Sequence, residues 1–178
     1  MNIHQMQVRY QPGADRILWQ VRTGGGEVLQ AWLTRRLLKM AWPHLSRMVV
    51  QAGLAQVAPG ATPASVLPEA RDMLAQAVRD RPLANARFNE PFKLDAVAQP
   101  LGPEPLLPEA IDLGPGAEGR GLNIRLRDDA GRSMALQLND DLATALMRLL
   151  DQALAESDWG LVSRDTPAAP AGPRPVLN

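Results

Sequence analysis

The sequence contains no cysteine and only two histidines among its 178 residues. The absence of cysteine excludes disulfides, thiolate nucleophiles and cysteine-ligated metals or clusters. His4 and His44 belong to no spacing that would ligate a metal ion or complete a catalytic triad. The sequence also has no dinucleotide fingerprint and no supported pair of acid–base carboxylates. We therefore expect no enzyme activity, no cofactor and no bound metal.

The sequence also lacks an excess of either charge and any long run of apolar residues. The formal net charge is zero, so no overall field steers the protein towards polyanions or membranes. No run of 18 apolar residues occurs, and residues 1–11 lack the apolar core of a signal peptide. From these absences we expect a cytoplasmic protein that does not contact a membrane.

The charges that are present are divided between the two ends of the sequence. Residues 1–50 carry seven Lys or Arg and two acids, a balance of +5, whereas residues 101–178 carry seven Arg and twelve acids, a balance of −5. This polarity is typical of a protein with an acidic partner, or of one that associates head to tail with itself. Arg outnumbers Lys 17 to 2, a composition typical of a GC-rich bacterial genome, so Arg abundance alone indicates no function.

The most informative feature that is present is an internal repeat with an offset of 105 residues. Residues 17–22 map onto residues 122–127, Gly26 maps onto Gly131, and Thr34 maps onto Asn139, all without a gap. The match is in residue class more than in identity. A repeat of this kind predicts one supersecondary unit built twice. We call residues 3–52 the first unit and residues 91–160 the second unit.

The first unit is predicted to hold three strands and a helix. Apolar and polar residues alternate over residues 3–10 and over a hairpin formed by residues 17–23 and 27–33. The loop Gly24-Gly25-Gly26 is predicted as a hairpin turn, because it lacks the Lys-Ser/Thr of a phosphate-binding loop. Thr34 is predicted to cap a helix from Arg35 to about Ala52. Pro43 lies within that helix and is expected to kink or break it.

The remaining elements follow the same logic. A connecting helix is predicted over residues 63–81, a strand over 92–98, a short strand over 110–113 and a second hairpin over 122–127 and 132–138. Asn139 is predicted to cap a helix that ends near Gly160. The Pro/Ala-rich residues 165–178 are expected to be disordered.

Together these elements predict an α+β fold in the order βββ-α, connecting helix, βββ(β)-α, with pseudo-two-fold symmetry and a single domain over residues 1–164. In this arrangement of elements the chain resembles the whirly proteins, whose duplicated sheet-plus-helix fold binds single-stranded nucleic acid. The resemblance implies single-stranded nucleic acid as a possible partner.

The first candidate site is the outer face of the first hairpin. There Leu18 lies opposite Trp32 and Arg22 lies near one edge, whereas the same face of the second unit is polar. An apolar pair on an outward face is expected to be covered. Either the connecting helix or a second copy covers it, or Trp32 forms a platform on which a nucleic-acid base stacks.

The second candidate site is a basic stripe on the first helix, formed by Arg35, Arg36, Lys39 and Arg47. It can be an ordinary solvated face or a set of phosphate contacts. Arg35 and Arg36 also lie at the amino end of the helix, where cations are unfavourable, so a partner anion is a reasonable hypothesis.

These observations predict a non-catalytic protein-interaction module, most simply a homodimer, whose partner is itself or another protein. The alternative is a whirly-like regulatory protein that binds single-stranded nucleic acid. The sequence does not identify the partner or state whether the two units pack within one chain or between chains.

Overall fold

Alternating apolar residues build two three-stranded antiparallel sheets, and helices follow each sheet, in a mixed α+β fold. The computed structural model describes residues 2–57, 73, 76–78, 80, 82–83, 92–93, 95, 98–116 and 120–161. The elements are β1 (Ile3–Gln11), a 3₁₀ turn (Pro12–Ala14), β2 (Arg16–Thr23), β3 (Val28–Leu33), α1 (Arg35–Val57), β4 (Ala110–Pro115), β5 (Leu122–Arg127), β6 (Ser133–Leu138) and α2 (Asp140–Glu156).

The first sheet has the predicted register. Its order is β1-β2-β3, and in the hairpin Ile17 pairs with Leu33 and Val21 with Leu29. All four side chains are buried, because a strand places alternate residues on one face and this face carries the apolar ones. Gly26 closes the turn with φ 84°, a conformation that suits glycine. The predicted turn is therefore confirmed.

The second sheet has the order β4-β5-β6. Its pairs stand 105 residues after those of the first sheet: Leu122 pairs with Leu138, as Ile17 pairs with Leu33. Both helices begin as predicted. The Thr34 Oγ1 atom accepts from the Leu37 N–H at 3.2 Å, and the Asn139 Oδ1 atom accepts from the Leu142 N–H at 2.9 Å.

The core lies where the apolar faces of both sheets meet both helices. The helix of each unit packs against the first strand of the other, so that α1 contacts β4 and α2 contacts β1, and the two helices contact each other. Both units thus contribute to one hydrophobic cluster, whose largest fully buried side chains include Trp19, Ile17, Leu37, Leu122, Leu126 and Leu146.

Pro43 does not break α1, which continues from Arg35 to Val57 and so ends five residues beyond the predicted end at Ala52. Of the two outcomes expected at Pro43, a kink or a break, the break is wrong. Pro43 is exposed, so the missing N–H and the carbonyl it leaves unpaired lie on the solvent side of the helix.

The predicted connecting helix lies mostly outside the described residues. Met73, residues 76–78 and Asp80 are helical, and Val78 is completely buried. In the predicted strand at 92–98, the described residues Phe92, Lys93 and Asp95 form no strand, and Ala98 makes a single parallel bridge to Glu27. Residues 165–178 also lie outside the described part of the chain.

A feature that the sequence did not predict is a segment along the outer edge of β3. The Val28 N–H donates to the Ala98 carbonyl at 2.9 Å. Further along, the Leu106 N–H donates to the Gln30 carbonyl at 2.9 Å, and the Trp32 N–H donates to the Leu106 carbonyl at 2.7 Å. Residues 98–106 therefore cover this edge from within the same chain.

Candidate interaction surface

The outer face of the first hairpin is largely covered. Leu18 and Trp32 pair as predicted, but both are half-buried. On the same face Gln20 is only 6% exposed and Val28 only 2% exposed. Little apolar area is therefore left on this face for a second copy or for a nucleic-acid base.

Arg22, the third residue predicted for this face, binds a segment of its own chain. Its Nη1 atom donates to the carbonyls of Lys93 and Asp95, at 3.0 and 2.8 Å, and to the Asp95 Oδ1 atom at 3.1 Å. The Arg22 side chain is 14% exposed. Arg22 thus holds Lys93 and Asp95 beside the hairpin, and its guanidinium is no longer open to an external anion.

The basic residues of α1 remain open. We call Arg35, Arg36, Lys39, Met40, His44 and Arg47 the basic face of α1; all six are exposed. Met40 is 54% exposed, and the Arg47 Nη2 atom lies 2.8 Å from His44 Nδ1. Within the described part of the chain, the side chains of Arg35, Arg36 and Lys39 donate no hydrogen bond, and Arg35 interacts electrostatically with Asp15.

The charge of this face is unbalanced because α1 contains no acidic residue in its 23 positions. The equivalent helix α2 has Asp140 and Asp141 where α1 has Arg35 and Arg36. Acids at a helix amino end are stabilised by the helix dipole, whereas cations there are destabilised. The basic start of α1 therefore costs some helix stability that a bound anion would restore.

A groove of about 380 Å³ separates the two units beside this face. Its lining includes Arg16 and Arg36 of the first unit and Glu109 and Asp129 of the second. Asp128 and Arg132 also line the groove, and Asp128, whose side chain is 3% exposed, accepts from Arg132 Nε at 2.7 Å. Burial would raise the pKa of Asp128, but the hydrogen bonds and charge of Arg132 outweigh it and hold the pKa below its ordinary value.

The structure also contains a polar cluster that the sequence did not predict. Asp15 Oδ1 accepts from the Tyr10 hydroxyl at 2.8 Å and from Trp159 Nε1 at 2.7 Å. The two rings meet edge to face, with centroids 5.8 Å apart. Asp15 has φ 46°, a left-handed conformation that Asp tolerates better than most residues. This cluster joins the start of the first unit to the end of α2.

Asp15 should make the free energy of unfolding decrease at acidic pH. The hydrogen bond from Trp159, followed by that from Tyr10, holds the pKa of Asp15 below its ordinary value. Because its pKa is lower in the folded state, Asp15 binds protons more readily in the unfolded state. The ionised carboxylate therefore contributes fully to the free energy of unfolding above pH of about 4, and this contribution is lost as the pH falls through the folded-state pKa. Thermal unfolding from pH 7 to about 3 should show a steeper acid loss for wild type than for Asp15→Asn. If thermal stability fell equally steeply with pH in wild type and in Asp15→Asn, the prediction would be wrong.

Among the described residues no three His, Asp or Glu side chains are grouped to hold a metal ion. The described helices include none that is long and apolar enough to cross a membrane. No protein-family model, curated protein or solved structure matches this chain.

Proposed function

We propose that this protein is a non-catalytic protein-interaction module that binds through the basic face of α1 and that its first partner is a second copy of itself. One observation carries the proposal: α1 exposes four cations and Met40, without a single acid, on the surface of a protein whose net charge is zero. Such a face attracts a surface of opposite charge and steers its approach.

The second half of the same chain offers that negative surface. Residues 101–178 have a charge balance of −5, and Glu104, Glu109, Asp129 and Asp158 are exposed. In a two-fold dimer the basic face of each copy would contact the acidic half of the other, so each complementary contact is made twice. Met40 adds apolar area of the kind that interfaces enrich at their centre.

We also propose that the two units are an internal duplication related by a pseudo-two-fold axis. The constant offset of 105 in both hairpins and at both helix caps supports this, as do the reciprocal contacts of α1 with β4 and of α2 with β1. On this view the two helices had one origin and acquired opposite charges.

The dimer can be tested by charge reversal. We expect wild type to sediment as a dimer at ~50 mM salt and to dissociate towards ~200 mM, because exposed ion pairs are screened. Arg36→Glu/Lys39→Glu should be monomeric at both concentrations, since it places acid against acid. Arg125→Glu, a reversal on the exposed outer face of β5, should stay dimeric. A wild-type monomer at tens of micromolar protein and low salt would overturn the proposal.

Single-stranded nucleic acid is the second candidate partner, favoured by the same acid-free helix. The covered surroundings of Trp32 count against a stacking platform. Fluorescence anisotropy with labelled single-stranded DNA and RNA at ~50 and ~200 mM salt separates the candidates. Saturable, salt-sensitive binding that Arg36→Glu/Lys39→Glu abolishes would favour nucleic acid over the second copy.

A further inference from the structure

The outer edge of β6 is open among the described residues. Strand residues alternate in the direction of their backbone hydrogen bonds, so Ser133, Ala135 and Gln137 direct their N–H and carbonyl groups away from β5. No described segment bonds to them, and all three side chains are exposed. The edge carries no proline and no charge, the usual protection of a free strand edge.

The equivalent edge of the first sheet is occupied. Val28, Gln30 and Trp32, which lie 105 residues before Ser133, Ala135 and Gln137, bond to Ala98 and Leu106. Leu106 is completely buried. The first sheet therefore shows which kind of segment this edge accepts: a stretch that turns at residues 99–102, forms parallel bridges to the strand at Ala98 and Leu106, and buries the Leu106 side chain.

The sequence contains a second copy of the segment on β3. Residues 98–107 read AQPLGPEPLL, and residues 168–177 read AAPAGPRPVL. Six of the ten positions are identical, including all three prolines and the glycine. Val176 stands where Leu106 stands, and Ala168 stands where Ala98 stands.

We propose that residues 168–177 bind along the outer edge of β6 of the same chain, as residues 98–107 bind along β3. In this register the Ser133 N–H donates to the Ala168 carbonyl. The Val176 N–H donates to the Ala135 carbonyl, and the Gln137 N–H donates to the Val176 carbonyl. The prolines fit because the pattern seen on β3 requires no N–H from Pro100, Pro103 or Pro105.

Charge and burial both support this placement. Glu104 lies in the segment that binds the basic first unit, whereas Arg174 replaces it in the segment proposed for the acidic second unit. Leu37 of α1 is 1% exposed, but its equivalent Leu142 of α2 is only half-buried. An apolar segment beside β6 would supply cover that the second unit lacks.

The length of the connection limits where the segment can lie. Leu161 is the last described residue, and the seven residues from there to Ala168 can span roughly 25 Å when extended. Binding within one chain also avoids the loss of translational freedom that a separate peptide would pay.

Amide hydrogen exchange of the full-length protein, followed residue by residue, tests the proposal. We expect slow exchange at Ser133 and Gln137 and fast exchange at Ala135, whose counterpart Gln30 makes no N–H bond to the segment. Val176→Pro removes the donor to Ala135 and should speed exchange at Gln137 roughly tenfold. Val176→Ile keeps the donor and should match wild type.

The outcomes separate this proposal from the proposed dimer. The same protection should appear in Arg36→Glu/Lys39→Glu, which is expected to be monomeric. Fast exchange at Ser133 and Gln137 in wild type would overturn the proposal, as would protection that appears only in a dimer. Protection that survives Val176→Pro would overturn the proposed register.

Discussion

Replacement of Gly121 by alanine should be among the most destabilising changes in the second unit. Gly121 has φ 70°, and a Cβ atom there would overlap the carbonyl oxygen of Leu138. Its N–H donates to Asp140 Oδ1 at 2.6 Å, so the backbone cannot move without losing a bond to the first turn of α2. Left-handed strain and the backbone clash together should cost about 3 kcal/mol or more.

The matched control is Gly131→Ala. Gly131 has φ 81°, but nothing lies within 4 Å of the position that its Cβ atom would take. Only the left-handed strain then applies, about 1 kcal/mol. Urea unfolding of both variants measures the difference. Equal losses would show that the close approach between Gly121 and Leu138 does not contribute.

The registers of both sheets and the starts of both helices could be predicted because their determinants are local. A strand that buries one face must alternate apolar and polar residues. If the pairing of Val21 with Leu29 slipped by one residue, every apolar side chain of the strand would face outwards. Thr34 and Asn139 could be assigned as caps because each lies directly before a stretch in which apolar residues recur at helical spacing. The helical spacing of the apolar residues also predicts that Arg36 and Arg47 lie on the outer side of α1, and both are exposed there.

The contacts that could not be predicted join residues far apart in sequence. Leu106 contacts β3 through two backbone hydrogen bonds in a stretch that contains five prolines. Because so few residues of this stretch pair with the strand, its sequence shows no alternation of apolar and polar residues that would predict the contact. The bonds of Arg22 to Lys93 and Asp95 also join residues far apart, with separations of 71 and 73 in the sequence. The sequence therefore identified the outer face of the hairpin as needing a cover but not the residues that surround it.

The second large effect should come from Trp159, which lies 144 residues beyond Asp15 and links it to α2. Trp159 is 4% exposed, and its ring meets that of Tyr10 edge to face. The Trp159→Ala change removes a buried aromatic side chain between the two units, so the free energy of unfolding should fall by about 3–5 kcal/mol. Both units share one core, so urea unfolding should shift as a single transition instead of splitting into two.

Trp159→Phe separates the packing of the ring from its hydrogen bond. The phenyl ring can still contact Tyr10, but the donor to Asp15 is lost, so the loss of stability at pH 7 should be smaller than that of Trp159→Ala. Because the Trp159 hydrogen bond is the main cause of the low pKa of Asp15, the acid dependence should also become shallower. If Trp159→Ala lay within about 1 kcal/mol of wild type, or if it unfolded in two steps, Trp159 would not be holding the two units together. The hydrophobic cluster between α2 and β1 would then have to join them without this aromatic contact.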